Sequence, residues 1–203
     1  ISETTYNWYV SYMALLCGAG IAVPCDKELP DNELENLIER SKAAAVIFSP
    51  KMKELVKKAT AKCPAVRYCI EMKSDAGFDE KDKRFVGFNY VLEEGRVFTG
   101  MGDDSLMEKE IDPEAFAVLI FTSGTTSASK GVMISNTNLA YNVNAVTPYV
   151  KLNPEDRLFS VLPLHHTYES TIGFIYPMAM GASIAVCQGL KHLVPDIQAT
   201  KPT

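Results

Sequence analysis

The chain has 203 residues, of which 47% are hydrophobic and 22% charged, and its net charge is −5. That is enough apolar material for one substantial core or two small ones, which excludes a disordered chain. The mildly acidic balance excludes a general nucleic-acid binder, yet leaves room for a phosphate site, which asks only for local donors.

Tyr6–Cys17 is apolar almost all round and reads as a buried helix stopped by Gly18 and Gly20. Ile21–Pro24 is a short β-like run. Asp31 is the expected N-cap of a helix whose Leu34, Leu37, Ile38 and Ser41 fall on one face. Ala44–Phe48 reads as a strand, Met52, Leu55, Val56 and Ala59 repeat the helical spacing, and Val66–Ile70 reads as a second strand. Glu71–Arg84 is dense in charge and reads as an exposed connection. Asn89–Met101 reads as a helix and Gly102–Glu110 as a polar, acidic stretch. Ala117–Phe121 is five apolar residues in a row, a buried strand of the parallel-sheet type. A Gly/Ser/Thr loop follows, then a β-like piece at Val132–Ile134 and a helix from Thr137 with Leu139, Val143 and Val146 on one face. Leu158–Leu164 is strand-like, Glu169–Met180 helical, Ser183–Cys187 a strand and Leu190–Ala199 a helix. This alternation predicts an α/β fold of mostly parallel sheets flanked by helices.

Five cysteines (Cys17, Cys25, Cys63, Cys69 and Cys187) make an odd set without CxxC spacing. Small buried thiols in a reducing compartment are expected, rather than disulfides or zinc. His165, His166 and His192 form no metal set with them. Met13–Pro24 is too short and too broken for a membrane span, and no basic-then-apolar segment opens the chain. A cytoplasmic protein without a transmembrane segment is therefore expected. The chain begins at Ile1 without Met, as a fragment would.

The loop Thr122-Ser123-Gly124-Thr125-Thr126-Ser127-Ala128-Ser129-Lys130-Gly131 holds six Ser or Thr, two Gly and one Lys. Small residues let amides approach an anion, hydroxyls add adjustable donors and Lys130 adds a full charge. The set suits polyphosphate. It is not a Walker A loop: five residues separate Gly124 from Lys130, Ser129 stands where the second Gly belongs, and Gly131 follows the lysine. On composition alone a surface loop without a ligand is the simpler reading.

The order of residues decides otherwise. Phe121–Val132 resembles the signature of the adenylate-forming superfamily, which includes acyl-CoA synthetases, firefly-type luciferases and peptide-synthetase adenylation domains. Two positions depart from it: Ser127 replaces a Gly and Ser129 a Pro. Neither change removes a donor. A second string, Leu162-Pro163-Leu164-His165-His166-Thr167-Tyr168-Glu169, resembles the Leu-Pro-Leu-x-His-x-x-Glu segment that lines the acyl and adenylate pocket in that family. Its form is most similar to long-chain fatty-acyl-CoA ligases. A strand ending in Pro and two histidines also suits a ligand at a sheet's carboxyl edge. Asn7–Glu28 resembles the family's N-terminal helix–strand unit more diffusely.

The resemblance implies part of the large N-terminal domain of an acyl-CoA synthetase-like fold. Residues 1–70 would be a helix/strand portion, 71–115 a charged connection and 116–203 the phosphate-loop and acyl-pocket portion. Thr122, Ser123, Gly124, Thr125, Thr126, Ser127 and Lys130 would bind the ATP phosphates, and His166 and Tyr168 the acyl substrate, with His165 the variable neighbour. The implied reaction joins a carboxylate, expected to be a fatty acid, to AMP and then to CoA, using ATP and Mg²⁺. The family's adenine, ribose, Mg²⁺ and catalytic-lysine positions have no counterpart up to Thr203. No catalytic residue or metal ligand is therefore assigned, and the chain alone is expected not to turn over. Two other readings are a polyphosphate-binding module without ligase chemistry and an interaction domain in which the loop is only a loop. Within the family, an aryl-CoA ligase or an amino-acid adenylation domain are further alternatives.

Overall fold

The computed structural model of the chain describes residues 1–122 and 129–203. It opens with α1 (Tyr6–Ala14), capped by the Thr5 hydroxyl, which accepts the Trp8 amide at 3.3 Å. The helix widens into a π-type turn over Leu15–Ala19 and ends there, at the predicted glycines. α2 (Asp31–Ser41) presents Leu34, Leu37 and Ile38 to the interior, as their spacing predicts. Asp31 is not its N-cap: Pro30 holds that place, with Asp31 as the first helical residue and no side-chain cap bond. Proline's fixed φ suits a helix entry without one.

β1 (Ala45–Phe48), β2 (Tyr68–Glu71) and β3 (Phe85–Gly87) form a parallel sheet in sequence order. α3 (Lys53–Thr60) crosses from β1 to β2 and buries Val56, Ala59 and Thr60. α4 (Phe88–Gly100) leaves β3 directly. The sequence reading ends the charged connection at Arg84 and names no strand after it. β3 is three residues long, too short to show a period. Gly87 is where β3 needs a glycine, because a Cβ there would lie 2.4 Å from the Ser74 carbonyl oxygen.

β4 (Phe116–Thr122) and β5 (Lys130–Ser135) form an antiparallel pair, with Thr122 opposite Lys130. The predicted parallel character of this strand thus holds only at its other edge, where Ala22 bridges Val118 in parallel. The predicted Ile21–Pro24 strand is reduced to that single bridge. A parallel return needs a crossover of a dozen or more residues, so a link of residues 123–129 forces an antiparallel partner. Ser135 and Asn138 then form a capping box that starts α5 (Asn136–Val146).

β6 (Arg157–Ser160) and β7 (Ser183–Val186) pair in parallel. Between them lie the histidine segment, a π-type helix over Glu169–Ile175 and α6 (Tyr176–Met180). α7 (Leu193–Thr200) closes the chain. The predicted strand over Leu158–Leu164 stops at Ser160, since Pro163 has no amide to donate to a ladder.

Two cores result. One joins Trp8, Tyr9 and Tyr12 of α1 to Val118 and Ile120 of β4, Leu139 of α5, Leu164 and Phe174. The other joins α2, α3 and the β1–β3 sheet around Phe48, Val56 and Cys69. All five cysteines are free, and burial pushes the Cys25, Cys63 and Cys69 thiols up.

A polar chain enters the first core. The Tyr9 hydroxyl donates to Ser160 Oγ at 3.0 Å, and Ser160 Oγ donates to Glu169 Oε1 at 2.5 Å. Glu169 is 5% exposed, and burial pushes its carboxyl up, with the Ser160 hydrogen bond opposing.

Two outcomes are expected. Gly87→Ala forces a Cβ into backbone atoms that cannot move independently and destabilises the fold by roughly 2–3 kcal/mol, read from urea unfolding. Glu169 has a folded-state pKa raised above its ordinary value of 4.5. Its contribution is fully present below that value and is lost as pH rises through the folded value. Glu169→Gln, which stays neutral, therefore gains stability relative to wild type as pH rises above about 4.5. Melting temperatures measured across that range check it.

Candidate functional site

The β4–β5 hairpin carries the first motif. Thr122 ends β4 and Lys130 begins β5, so the register sets the two facing each other at the loop's base. Both are exposed. Of the other predicted phosphate-binding positions, Ser123, Gly124, Thr125, Thr126 and Ser127 lie outside the described residues.

A residue that the motif does not include grips this base. Arg40, in the last turn of α2, donates through Nη1 to the Ser129 carbonyl at 2.8 Å and to Ser129 Oγ at 3.1 Å. Its guanidinium also lies over the Phe121 ring, 5.1 Å from the centroid. One side chain thus touches both stems, next to Thr122 on one side and Lys130 on the other. A planar guanidinium can hydrogen-bond at its edge and stack on its face at once, which an ammonium cannot. No sequence signal marks Arg40, because its partner Ser129 lies 89 positions away.

The second motif forms the connection from β6 to the Glu169 helix. His165 is partly buried, with Nε2 3.6 Å from Asp26 Oδ2. Burial holds its imidazole below the ordinary value, the Asp26 carboxylate opposing and His166 adding to the depression. The two histidine rings sit 4.2 Å apart, tilted by 45°. His166 is exposed. Its amide donates to the Pro163 carbonyl at 3.1 Å, and its carbonyl accepts from the Ser170 amide at 3.1 Å and Ser170 Oγ at 3.2 Å. Its backbone is therefore tied down while its ring faces outward. Tyr168 is 64% exposed. His165, the expected variable neighbour, is the histidine seated against the protein, and His166 and Tyr168 are the ones accessible to a ligand.

The shared core joins the two motifs: Val118 and Ile120 of β4 pack in the same cluster as Leu164 of the histidine segment. A separate apolar cavity of about 410 Å³ lies behind β4, lined by Trp8, Tyr12, Ile38, Val46 and Leu119 among others, and none of the described residues of the two motifs line it. Among the described residues no three His, Cys, Asp or Glu side chains converge as a metal site. No ligand to Mg²⁺ is assigned, and no chemical step is drawn through it. No described helix is long and apolar enough to cross a membrane.

These features agree with comparisons to known proteins. The chain is 29% identical over 182 residues to a CoA ligase of Gibberella moniliformis, covering 90% of this chain and 27% of that protein. It is 29% identical over 209 residues to long-chain-fatty-acid–CoA ligase 5 of Rattus norvegicus, covering 97% and 30%. It thus spans less than a third of the length of these relatives. The fold is similar to that of a red-emitting luciferase from Phrixothrix hirtus, at TM-score 0.83 and 19% identity over 99% of this chain and 38% of the other. It is also similar to an anthranilate CoA ligase solved with anthranoyl-AMP, at TM-score 0.79 and 19% identity over 100% and 38%. The model of the AMP-binding enzyme family matches residues 1–203, the whole chain, and the chain belongs to that family.

Proposed function

We propose that this chain supplies the phosphate-gripping hairpin and part of the acyl pocket of an ATP-dependent, AMP-forming acid–thiol ligase. The carboxylate attacks the α-phosphorus of ATP, pyrophosphate leaves, and the resulting acyl-AMP passes its acyl group to the thiol of CoA. The observation that carries the reading is the β4–β5 hairpin, which holds Thr122 and Lys130 at the base of the signature loop.

In this reading Lys130 neutralises charge on the departing pyrophosphate, a stabilisation that grows as the bond to the α-phosphorus breaks. The loop's hydroxyls and amides, Thr122 and Ser123 to Ser127, hold the phosphates in line for attack. Arg40 braces the loop from outside and does not itself touch substrate. The exposed His166 ring and Tyr168 face the acyl group. A fatty acid is the proposed substrate. The Leu162–Glu169 string supports it, as does the similarity to a relative named for long-chain fatty acids. Other relatives carry other names, so the decisive panel must include aromatic acids.

In the complete protein, Lys130→Ala is expected to lower the adenylation rate by roughly a hundredfold or more, read as carboxylate-dependent exchange of pyrophosphate into ATP. An unchanged rate defeats the role given to Lys130. Arg40→Met keeps the stem's packing and removes the guanidinium. It is expected to raise KM for ATP by roughly tenfold and to leave KM for the carboxylate unchanged. In the same assay, palmitate is expected to outpace benzoate and 4-coumarate in kcat/KM. The reverse order sinks the fatty-acid assignment while leaving the ligase reading standing.

A further inference from the structure

The segment that carries His165, His166 and Tyr168 has two ends, Ser160 at the close of β6 and Glu169 at the opening of the next helix. Those two residues are bonded to each other: Ser160 Oγ donates to Glu169 Oε1 at 2.5 Å. Both are buried, at 3% and 5% exposure. Tyr9 of α1 donates to the same Ser160 oxygen at 3.0 Å and carries the chain of hydrogen bonds into the aromatic core, its ring 4.5 Å from that of Phe174. On its other side the Glu169 carboxyl rests on Gly173, where a Cβ would come within 2.6 Å of Glu169 Cδ. The carboxyl therefore has little freedom to turn away.

We propose that Glu169 is a positioning residue that, through Ser160 and Tyr9, closes the base of the histidine segment and fixes how His166 and Tyr168 meet the acyl substrate. The proposal deepens the ligase reading and rests on it for the substrate alone. A carboxyl buried in an otherwise apolar core destabilises the fold unless it is bonded. A purely structural site at this depth is better filled by a hydrophobic side chain of the same volume. What the carboxyl adds is an acceptor that joins the two ends of one loop. Apart from the His166 backbone bonds to Pro163 and Ser170 and the seating of His165 beside Asp26, little else holds that loop: Val161, Leu162, Pro163, His166, Thr167 and Tyr168 are exposed, and Leu164 alone is buried in the core.

The acceptor, not the charge, is the working part, and this makes the proposal separable. Glu169→Gln keeps an oxygen for Ser160. Glu169→Met keeps the length and loses the acceptor, and Ser160→Ala removes the donor by deleting one oxygen. In the complete protein, amide hydrogen exchange across residues 161–168 is expected to quicken by roughly tenfold or more in Glu169→Met and Ser160→Ala, and to stay at the wild-type rate in Glu169→Gln. In parallel, kcat/KM for the carboxylate is expected to fall roughly ten- to hundredfold in the first two variants, with KM for ATP unmoved, and to be retained in Glu169→Gln. General destabilisation would not spare ATP in this way. If Glu169→Met fails to fold, Ser160→Ala decides. Wild-type exchange rates in Ser160→Ala overturn the clamp. Faster exchange with unchanged carboxylate kinetics overturns the positioning role. A Glu169→Gln protein as impaired as Glu169→Met overturns the assignment to the acceptor. A wild-type protein that exchanges no pyrophosphate with any carboxylate defeats the ligase reading instead, and the exchange rates across 161–168 then judge the clamp alone.

Discussion

The arrangement turns on the hydrogen-bonding of β4 along both edges. On one side it pairs with β5 from Phe116 to Thr122, with one irregularity between Phe116 and Val118. On the other, the Ala22 amide donates to the Ala117 carbonyl at 2.9 Å, and the Leu119 amide donates to the Ala22 carbonyl at 2.8 Å. Val118, between those bonds, is fully buried. A strand paired along one edge, bridged once on the other and packed through its middle resists sliding, because a one-residue slip would turn Val118 and Ile120 outward. Everything at the candidate site inherits its place from this strand. It sets Thr122 opposite Lys130, it brings Phe121 under Arg40, and its inner face receives Leu164 from the histidine segment.

The same logic holds at the second motif, with side chains in place of a ladder. β6 stops at Ser160 because Pro163 cannot extend it, so the backbone beyond that point has no strand partner. The Tyr9–Ser160–Glu169 chain supplies side-chain bonds where the ladder runs out. The two motifs thus solve one problem in two ways: both hold polar, exposed residues at the margin of a mainly apolar core. Placing the anchors in the core and the exposed side chains outside lets each be held without being buried.

Much of this was legible in the sequence, and the failures follow one pattern. The periodic elements were found: α2 with Leu34, Leu37 and Ile38, α3 with Val56 and Ala59, and the helix bearing Leu139 and Val143. Periodicity reports burial on one face, which is what those residues experience. Features set by partners distant in the sequence were not visible. β4 is as apolar as a parallel strand but pairs antiparallel, and only the short link to Lys130 gives that away. Ile21–Pro24 looks like a strand and contributes one bridge. Asp31 has the chemistry of a cap, yet Pro30 before it already sets the entry geometry. Both motifs were read from residue order, and the resemblance they carried agrees with the family match over the whole chain. Arg40 and Tyr9 were invisible as site residues because their partners lie at positions 129 and 160. Glu169 was seen as a letter of a motif, and only its depth and its bond to Ser160 give it work to do.

In nucleotide-binding folds where the loop runs into a helix, the helix N-terminus contributes several aligned amides and a dipole. Here the chain returns as β5, and the next helix, α5, begins only at Asn136, past the far end of that strand. In its first turn the Asn138 amide donates to Ser135 Oγ and the Thr137 amide to the Pro113 carbonyl. On the proposed reading, no described helix starts directly after the loop, and the cation beside it is the Lys130 side chain. That accounts for a lysine set at the first residue of β5 rather than deeper in a helix. It also raises the value of Arg40. A side-chain cation is useful to a phosphate only while its stem is held, and Lys130 stands on an edge strand whose outer residues, Val132 and Met133, are exposed. The guanidinium stacked on Phe121 and bonded to Ser129 stiffens the end of that strand from which Lys130 reaches. In a helix-based loop the same rigidity comes with the backbone. In this one it has to be imported from α2.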